Sequence, residues 1–158
     1  MRFNLETELT VRRLSPDEEI PYSLLLIADD AIEAIDKYIH HSEIYVCEKG
    51  EQLIAVYVLK ILSSTSAEIK NIAVRPEFQG YGIGTYLIKN VIGVLRKKGF
   101  ESLLIGTGIT SVRPVRLYRA LGFKDFRIIK DFFVDNYPQP IYEDGKQLRD
   151  MIVLKLDL

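Results

Sequence analysis

The chain has 158 residues, 47% hydrophobic and 27% charged, with a formal net charge of −1. That length suits one domain over residues 1–158 with a core that needs neither metal nor disulfide, and the near-neutral balance excludes a dedicated nucleic-acid binder, whose footprint is basic. A lone cysteine, Cys47, leaves no internal disulfide and suits a reducing cytoplasm. No apolar run is long enough to cross a bilayer, and Met1-Arg2-Phe3-Asn4-Leu5-Glu6 has an acid where a secretion signal needs an apolar core.

Thr7 to Leu14 alternates around Leu9 and Val11 and predicts a first strand. Ser15-Pro16-Asp17-Glu18 predicts a helix start, with Ser15 as cap and Glu18 completing a capping box, until Pro21 breaks or restarts the helix. Leu24, Leu25 and Ala28 then share one face, and Asp29 or Asp30 caps a further helix carrying Ile32, Ile35 and Ile39. Ile44–Cys47 and Leu53–Leu62 read as a hairpin around Glu48-Lys49-Gly50-Glu51. Ser63 to Ser66 is a polar turn into a strand over Ala67–Val74.

The following segment, Arg75-Pro76-Glu77-Phe78-Gln79-Gly80-Tyr81-Gly82-Ile83-Gly84, is a glycine-rich loop running into a helix with Ile83, Leu87, Val91, Val94 and Leu95 at steps of three or four. The helix ends at Gly99 after Arg96, Lys97 and Lys98, cations that suit a C-terminal dipole. Ser102–Ile105 is a short buried strand, and Ser111 caps a helix that stops at Gly122. Phe126–Val134 and Met151–Leu156 are the last strands. The order is β-α-α-β-β-β-α-β-α-β-β, an α/β arrangement of one mixed sheet with helices on its faces.

Glycines before a helix N-terminus make an anion cradle, because the first amide N–H groups have no helical acceptor. Two nucleotide readings fail on spacing. A phosphate loop of the triphosphatase kind needs Lys after its last glycine, but Gly84 precedes Thr85 and Tyr86, with no lysine until Lys89. The dinucleotide fingerprint needs a third glycine where Thr85 stands, and its first glycine directly after the strand, where Arg75 to Gln79 intervene.

Gln79-Gly80-Tyr81-Gly82-Ile83-Gly84 resembles the acetyl-CoA signature of the GCN5-related N-acetyltransferase (GNAT) superfamily. Leu117-Tyr118-Arg119-Ala120-Leu121-Gly122-Phe123 is similar to that family's late Leu-Tyr-x-x-x-Gly-Phe motif, and the likeness runs over roughly residues 5–130. The element order also matches the superfamily's fold. The resemblance implies an acetyl-CoA-dependent acyltransferase that acetylates a primary amine by direct attack in a ternary complex, with no metal. It places the strands at 67–74 and 102–107 apart, so that the pantetheine arm enters between them. Gln79, Gly80, Tyr81, Gly82, Ile83, Gly84 and Thr85 would cradle the pyrophosphate, and Ile72, Ala73 and Val74 would offer backbone bonds. Ser111 stands where many members have an Asn that bonds the cofactor arm. Glu68 falls where several members have the general base, and Tyr118 where the departing thiolate is protonated. On residue type alone, Glu68 reads equally as a solvated strand residue and Tyr118 as a packing aromatic.

Residues 16–43 hold eight acids (Asp17, Glu18, Glu19, Asp29, Asp30, Glu33, Asp36, Glu43) against Lys37, while residues 75–124 hold nine bases against Glu77 and Glu101. This is either two solvated faces that cancel or a basic half for a polyanionic donor and an acidic half for a cationic acceptor. The segment 131–145 is long for a plain turn. Its Asp131, Phe133 and Tyr137 suit either an acceptor wall or a homodimer contact. His40-His41 reads as a helix C-terminal pair, without further ligands at metal spacing. The acceptor is expected to be a small cationic amine; the alternatives are a protein N-terminus or lysine, or an acyl-CoA sensor without turnover.

Overall fold

The computed structural model describes residues 4–158. Met1, Arg2 and Phe3, part of the segment that argued against a secretion signal, lie outside the described residues. Seven strands form the main sheet: β1 (Leu9–Arg13), β2 (Glu43–Lys49), β3 (Gln52–Ile61), β4 (Ser66–Val74), β5 (Ser102–Gly108), β6 (Lys124–Ile129) and β9 (Met151–Asp157). They lie in the order β1-β2-β3-β4-β5-β9-β6. Neighbours are antiparallel except β4 and β5, which run parallel. Strands β7 (Tyr142–Glu143) and β8 (Lys146–Gln147) make a separate small hairpin.

The helices cover both faces. α4 (Ile83–Lys97) and α5 (Val112–Ala120) lie on one, where Leu87, Val91, Leu95 and Tyr118 join a core with Tyr57, Leu59, Ile69 and Leu103. α2 (Tyr22–Ala28) and α3 (Ile32–Asp36) lie on the other, where Leu24, Leu25 and Ile35 meet Val46, Val56 and Val58. β3 sends alternate residues to the two cores, so it reads as an unbroken apolar run from Leu53 to Leu59. Each of these fully buried aliphatic side chains contributes about 1.5–3 kcal/mol over its exposed state.

Four expectations need correction. The first strand starts at Leu9, because Asn4 caps a one-turn helix, α1 (Leu5–Glu8), through its side-chain oxygen. Ser15 and Glu18 do bond each other, but as an isolated turn; Pro21 provides no donor for an i−4 bond, so the helix begins after it, and Glu18 turns to a bidentate pair with Arg12 at 2.7 and 2.9 Å. Neither Asp29 nor Asp30 caps α3, whose N-cap is Ala31 without a side-chain bond, and Ile39 falls beyond α3 in a single 3-10 turn, Ile39–His41. The strand expected to reach Val134 stops at Ile129. Asp131 adopts a left-handed φ of 54°, its N–H goes to Asp150, and a one-turn helix α6 (Phe132–Asp135) follows.

One irregularity in β4 positions the site. Val58 pairs with Asn71 but Leu59 pairs with Ile69, which leaves Lys70 as the extra residue of a β-bulge. The side-chain alternation therefore changes phase: Ala67 and Ile69 face the α4 side before the bulge, Ile72 and Val74 after it. Beyond this point the sheet divides. β4 and β5 pair only from Ser66–Ser102 to Ile69–Ile105; then β4 stays with β3, while Gly106, Thr107 and Gly108 stay with β9.

Candidate active site

The split between β4 and β5 opens a cleft of about 270 Å³, lined by Ile69 to Ile72 on one wall and by Ile105, Thr107, Ser111 and Tyr118 on the other. The Arg75 N–H to Ile54 carbonyl bond sets the alternation of the β3–β4 ladder. It places Ala73 opposite Val56 in a hydrogen-bonded pair and turns the N–H and C=O groups of Ile72 and Val74 into the split. Of the three backbone positions expected to bond an incoming arm, Ile72 and Val74 therefore face it, and Ala73 bonds to β3 instead.

At the upper end of the split, Pro76–Phe78 form a 3-10 turn anchored by buried Phe78. The Gln79 amide donates to the Val74 carbonyl at 2.9 Å, so this side chain ties the loop to β4 rather than reaching outward. Gly80 and Gly82 sit at φ 85° and 83°, and Gly82 is the N-cap of α4 with no side-chain bond. The amides of Ile83, Gly84 and Thr85 thus open the helix without a capping side chain, which is the geometry of an anion cradle. Tyr81 flanks them, half-buried.

Tyr118 is placed by the segment that follows it. Gly122 takes φ 101° and ends α5, and Phe123 then donates its N–H to the Tyr118 carbonyl at 3.0 Å. The Phe123 ring packs 6.1 Å from that of Tyr118. Tyr118 is 8% exposed, and its hydroxyl has no hydrogen-bond partner among the described residues. Burial alone pushes its pKa up to about 12. Ser111 is at the N-cap of α5 but does not cap it; its hydroxyl donates to Glu143 at 2.8 Å across the cleft.

The cleft continues to the α2–α3 side of the sheet. Lys70, Thr107, Ser111 and Glu143 also bound a second cavity of about 130 Å³, which reaches Asp29, Phe133 and Tyr137. Asp29, Lys70, Tyr137 and Met151 in turn bound a third, of about 180 Å³, whose far walls carry Lys37 and Lys60. Asp29 accepts hydrogen bonds from Tyr137 at 2.5 Å and Tyr38 at 3.0 Å. Tyr38 in turn accepts from the Asn71 amide at 3.1 Å, and that amide also donates to the Leu25 carbonyl. Burial raises the pKa of Asp29, against the opposite pull of the two phenols, and it raises those of Tyr38 and Tyr137 as well. Asn71 lines the cleft, but its Oδ1 is sealed from it and has no hydrogen-bond partner among the described residues.

The expected acceptor and catalytic residues divide accordingly. Tyr118, Ser111 and Ile72 meet at the cleft, and Phe133 and Tyr137 meet behind it. Asp131 lines none of these cavities; it pairs with Arg149 at 3.1 Å and starts α6. Glu68 also lines none of them, because it precedes the bulge in the paired part of β4, with its carboxylate 3.5 Å from Lys70 Nζ. Asp29, Tyr38 and Asn71 were missed as site residues. The signal for the last was present: an apolar alternation at 67 and 69 that resumes at 72 and 74 marks a bulge at Lys70-Asn71. Among the described residues there is no cluster of His, Cys, Asp and Glu fit to hold a metal ion.

Residues 8–123 match the model of the Acetyltransferase (GNAT) family. An N-acetyltransferase of Bacillus subtilis, itself uncharacterised, is 39% identical over 87% of this chain and 88% of its own. The crystal structure of a GNAT family acetyltransferase from Elizabethkingia anophelis with acetyl-CoA bound superposes with a TM-score of 0.92 at 41% identity, over 96% of this chain and 99% of that one. A Bacillus subtilis acetyltransferase in complex with CoA superposes with a TM-score of 0.85 at 37% identity, over 95% and 99%.

Proposed function

The chain belongs to the GNAT acetyltransferase family, and on that premise we propose that it transfers an acetyl group from acetyl-CoA to a primary amine of a small molecule, with both substrates bound at once. The observation that carries this reading is the split between β4 and β5, with a glycine cradle at one end, outward-facing Ile72 and Val74 groups along one wall and the Tyr118 hydroxyl on the other. Acetyl-CoA supplies the activated thioester. The N-terminus of α4 and the loop Gln79–Gly82 hold its pyrophosphate, Ile72 and the Val74 N–H bond its arm, and Ser111 stands beside that arm.

The chain's own groups then handle one proton and one developing negative charge. The amine must shed the proton before attack, and the cavity behind the cleft offers Asp29 for this, its raised pKa bringing it closer to the working range of a general base. Tyr118 donates a hydrogen bond to the sulfur that leaves. The acidic stretch 16–43 supports a cationic acceptor only through Asp29 and Asp30, since its other acids do not line these cavities. Thiol release from acetyl-CoA with a panel of primary amines tests the reading. Turnover with at least one amine is the expected result. No turnover on any, with acetyl-CoA still raising Tm, defeats the small-amine reading in favour of a protein acceptor or an acyl-CoA sensor.

A further inference from the structure

We infer that the acceptor is a primary amine that also carries an anionic group, a carboxylate or a phosphate, with its amine held by Asp29 and its anion by Lys60 and its neighbours. This rests on the acetyl-transfer reading above and names the acceptor class for the same site. The cavity behind the cleft has two ends of opposite charge. The second cavity, which adjoins the cleft, is bounded by Asp29, Asp30 and Glu143. The third is bounded on its far side by Lys37 and Lys60, while Lys70 lines the cleft and both cavities.

The charges at each end are poorly compensated by the protein itself. Asp29 receives two neutral phenols and, among the described residues, forms no ion pair. A largely buried carboxylate left in that state is an unfilled demand for a cation. Lys60 is half-buried and has no hydrogen bond or ion pair among the described residues. Lys37 makes only long contacts of 3.4 Å to Asn136. Lys70 lies 3.5 Å from Glu68 and 5.7 Å from the centre of the Tyr38 ring. Three ammonium groups therefore border the third cavity, with Glu68 and Asp29 the acids that face them.

Order along the cavity decides the orientation. Asp29 bounds both the second and third cavities, whereas Lys37 and Lys60 bound only the third. An amine on Asp29 is thus nearer the cleft, where the acetyl group arrives, and the anion is further away. A polyamine in the same pose would press its second ammonium against Lys60, a like-charge contact in a confined site. Cavities of about 130 and 180 Å³ also suit a compact acceptor.

The test uses the full chain, acetyl-CoA and four short amines of similar length: 3-aminopropionate, O-phosphoethanolamine, 3-aminopropanol and 1,3-diaminopropane, followed by thiol release. We expect kcat/KM for at least one anionic amine to exceed that of the alcohol by about tenfold, the size of one hydrogen bond to a charged group, and the diamine to be poorest. The two anionic arms separate carboxylate from phosphate. Lys60→Met should shrink the anion-to-alcohol ratio by a similar factor, and Asp29→Asn should lower turnover of all four amines while acetyl-CoA still raises Tm. In wild type, the preferred anionic amine should raise Tm without acetyl-CoA present, and the alcohol should not. Preference for the alcohol or the diamine, or an unchanged ratio in Lys60→Met, overturns the inference and leaves acetyl transfer standing. Absence of turnover across all four and across the wider amine panel defeats acetyl transfer to small amines, and the inference falls with it.

Discussion

Replacing Tyr118 with Phe deletes one oxygen and leaves the ring packed against Phe123. The hydroxyl has no hydrogen-bond partner among the described residues, so folding loses little; a change within about 0.5 kcal/mol, or about 2 °C in Tm, is expected. Catalysis should lose more. Full proton transfer from a phenol with a pKa pushed up to about 12 to a thiolate of reference pKa about 8.5 runs uphill by roughly 3–4 units. In the proposed role Tyr118 is therefore chiefly a hydrogen-bond donor to the charge growing on sulfur, a contribution of about 1.5–3 kcal/mol. That corresponds to a fall in kcat of roughly 10–150-fold, mostly below the range of about 10²–10⁴-fold for general acids. Because burial keeps the phenol protonated, the basic limb of the pH–rate profile should be the same in Tyr118→Phe and wild type up to about pH 10. Steady-state thiol release, with Tm measured in parallel, reads all three quantities. A kcat within twofold of wild type, in a protein of unchanged Tm, would refute the assignment.

Other substitutions test the cradle and the two carboxylates. Gly82→Ala meets only Leu5 Cδ1 at 4.0 Å, so its cost is the left-handed φ of 83° itself, about 1–2 kcal/mol, seen as a fall in Tm of roughly 2–8 °C; Gly84→Ala, with no left-handed φ and nothing within 4 Å, should not lower Tm. Asp29→Asn should hold or raise Tm at pH 7. The folded-state pKa of Asp29 is raised by burial, so the wild type loses stability as pH climbs through the carboxylate range, and the gap between the two proteins should close on acidification; a lower Tm for the Asn variant at pH 7 would show that the carboxylate is structural. Glu68→Gln should leave the acidic limb of the pH–rate profile in place, since Glu68 lines none of the three cavities, whereas a flattened limb would return the base role to Glu68.

The geometry of the proposed donor half was legible in the sequence because its requirements are local. Gly80 and Gly82 are demanded by positive φ, and Gly122 ends α5 within one turn of Tyr118. The seven main strands also followed from pattern, β3 by its unbroken apolar run and β4 by alternation. The proposed acceptor half was less legible because it is assembled from distant pieces. Asp29 looks like a helix cap in sequence, but Tyr137, more than a hundred residues away, claims its side chain. Asp131 looks like an acceptor ligand, yet its place at the start of α6 commits it to Arg149. The hairpin β7–β8, closed by Asp144 at φ 50° and Gly145 at φ 78°, was hidden in a stretch too short to show periodicity, and it is this hairpin that brings Glu143 to Ser111.

The central claim is that the cleft between β4 and β5 is where an acetyl group passes from acetyl-CoA to an amine. The most direct measurement supplies acetyl-CoA labelled with carbon-13 in the acetyl group, together with an accepted amine, and quantifies free thiol and labelled N-acetyl product in the same reaction. Equal amounts of both are expected, with Tyr118→Phe slowing the two together. Thiol released without labelled amide, or a protein that binds acetyl-CoA and releases no thiol with any amine, would contradict it.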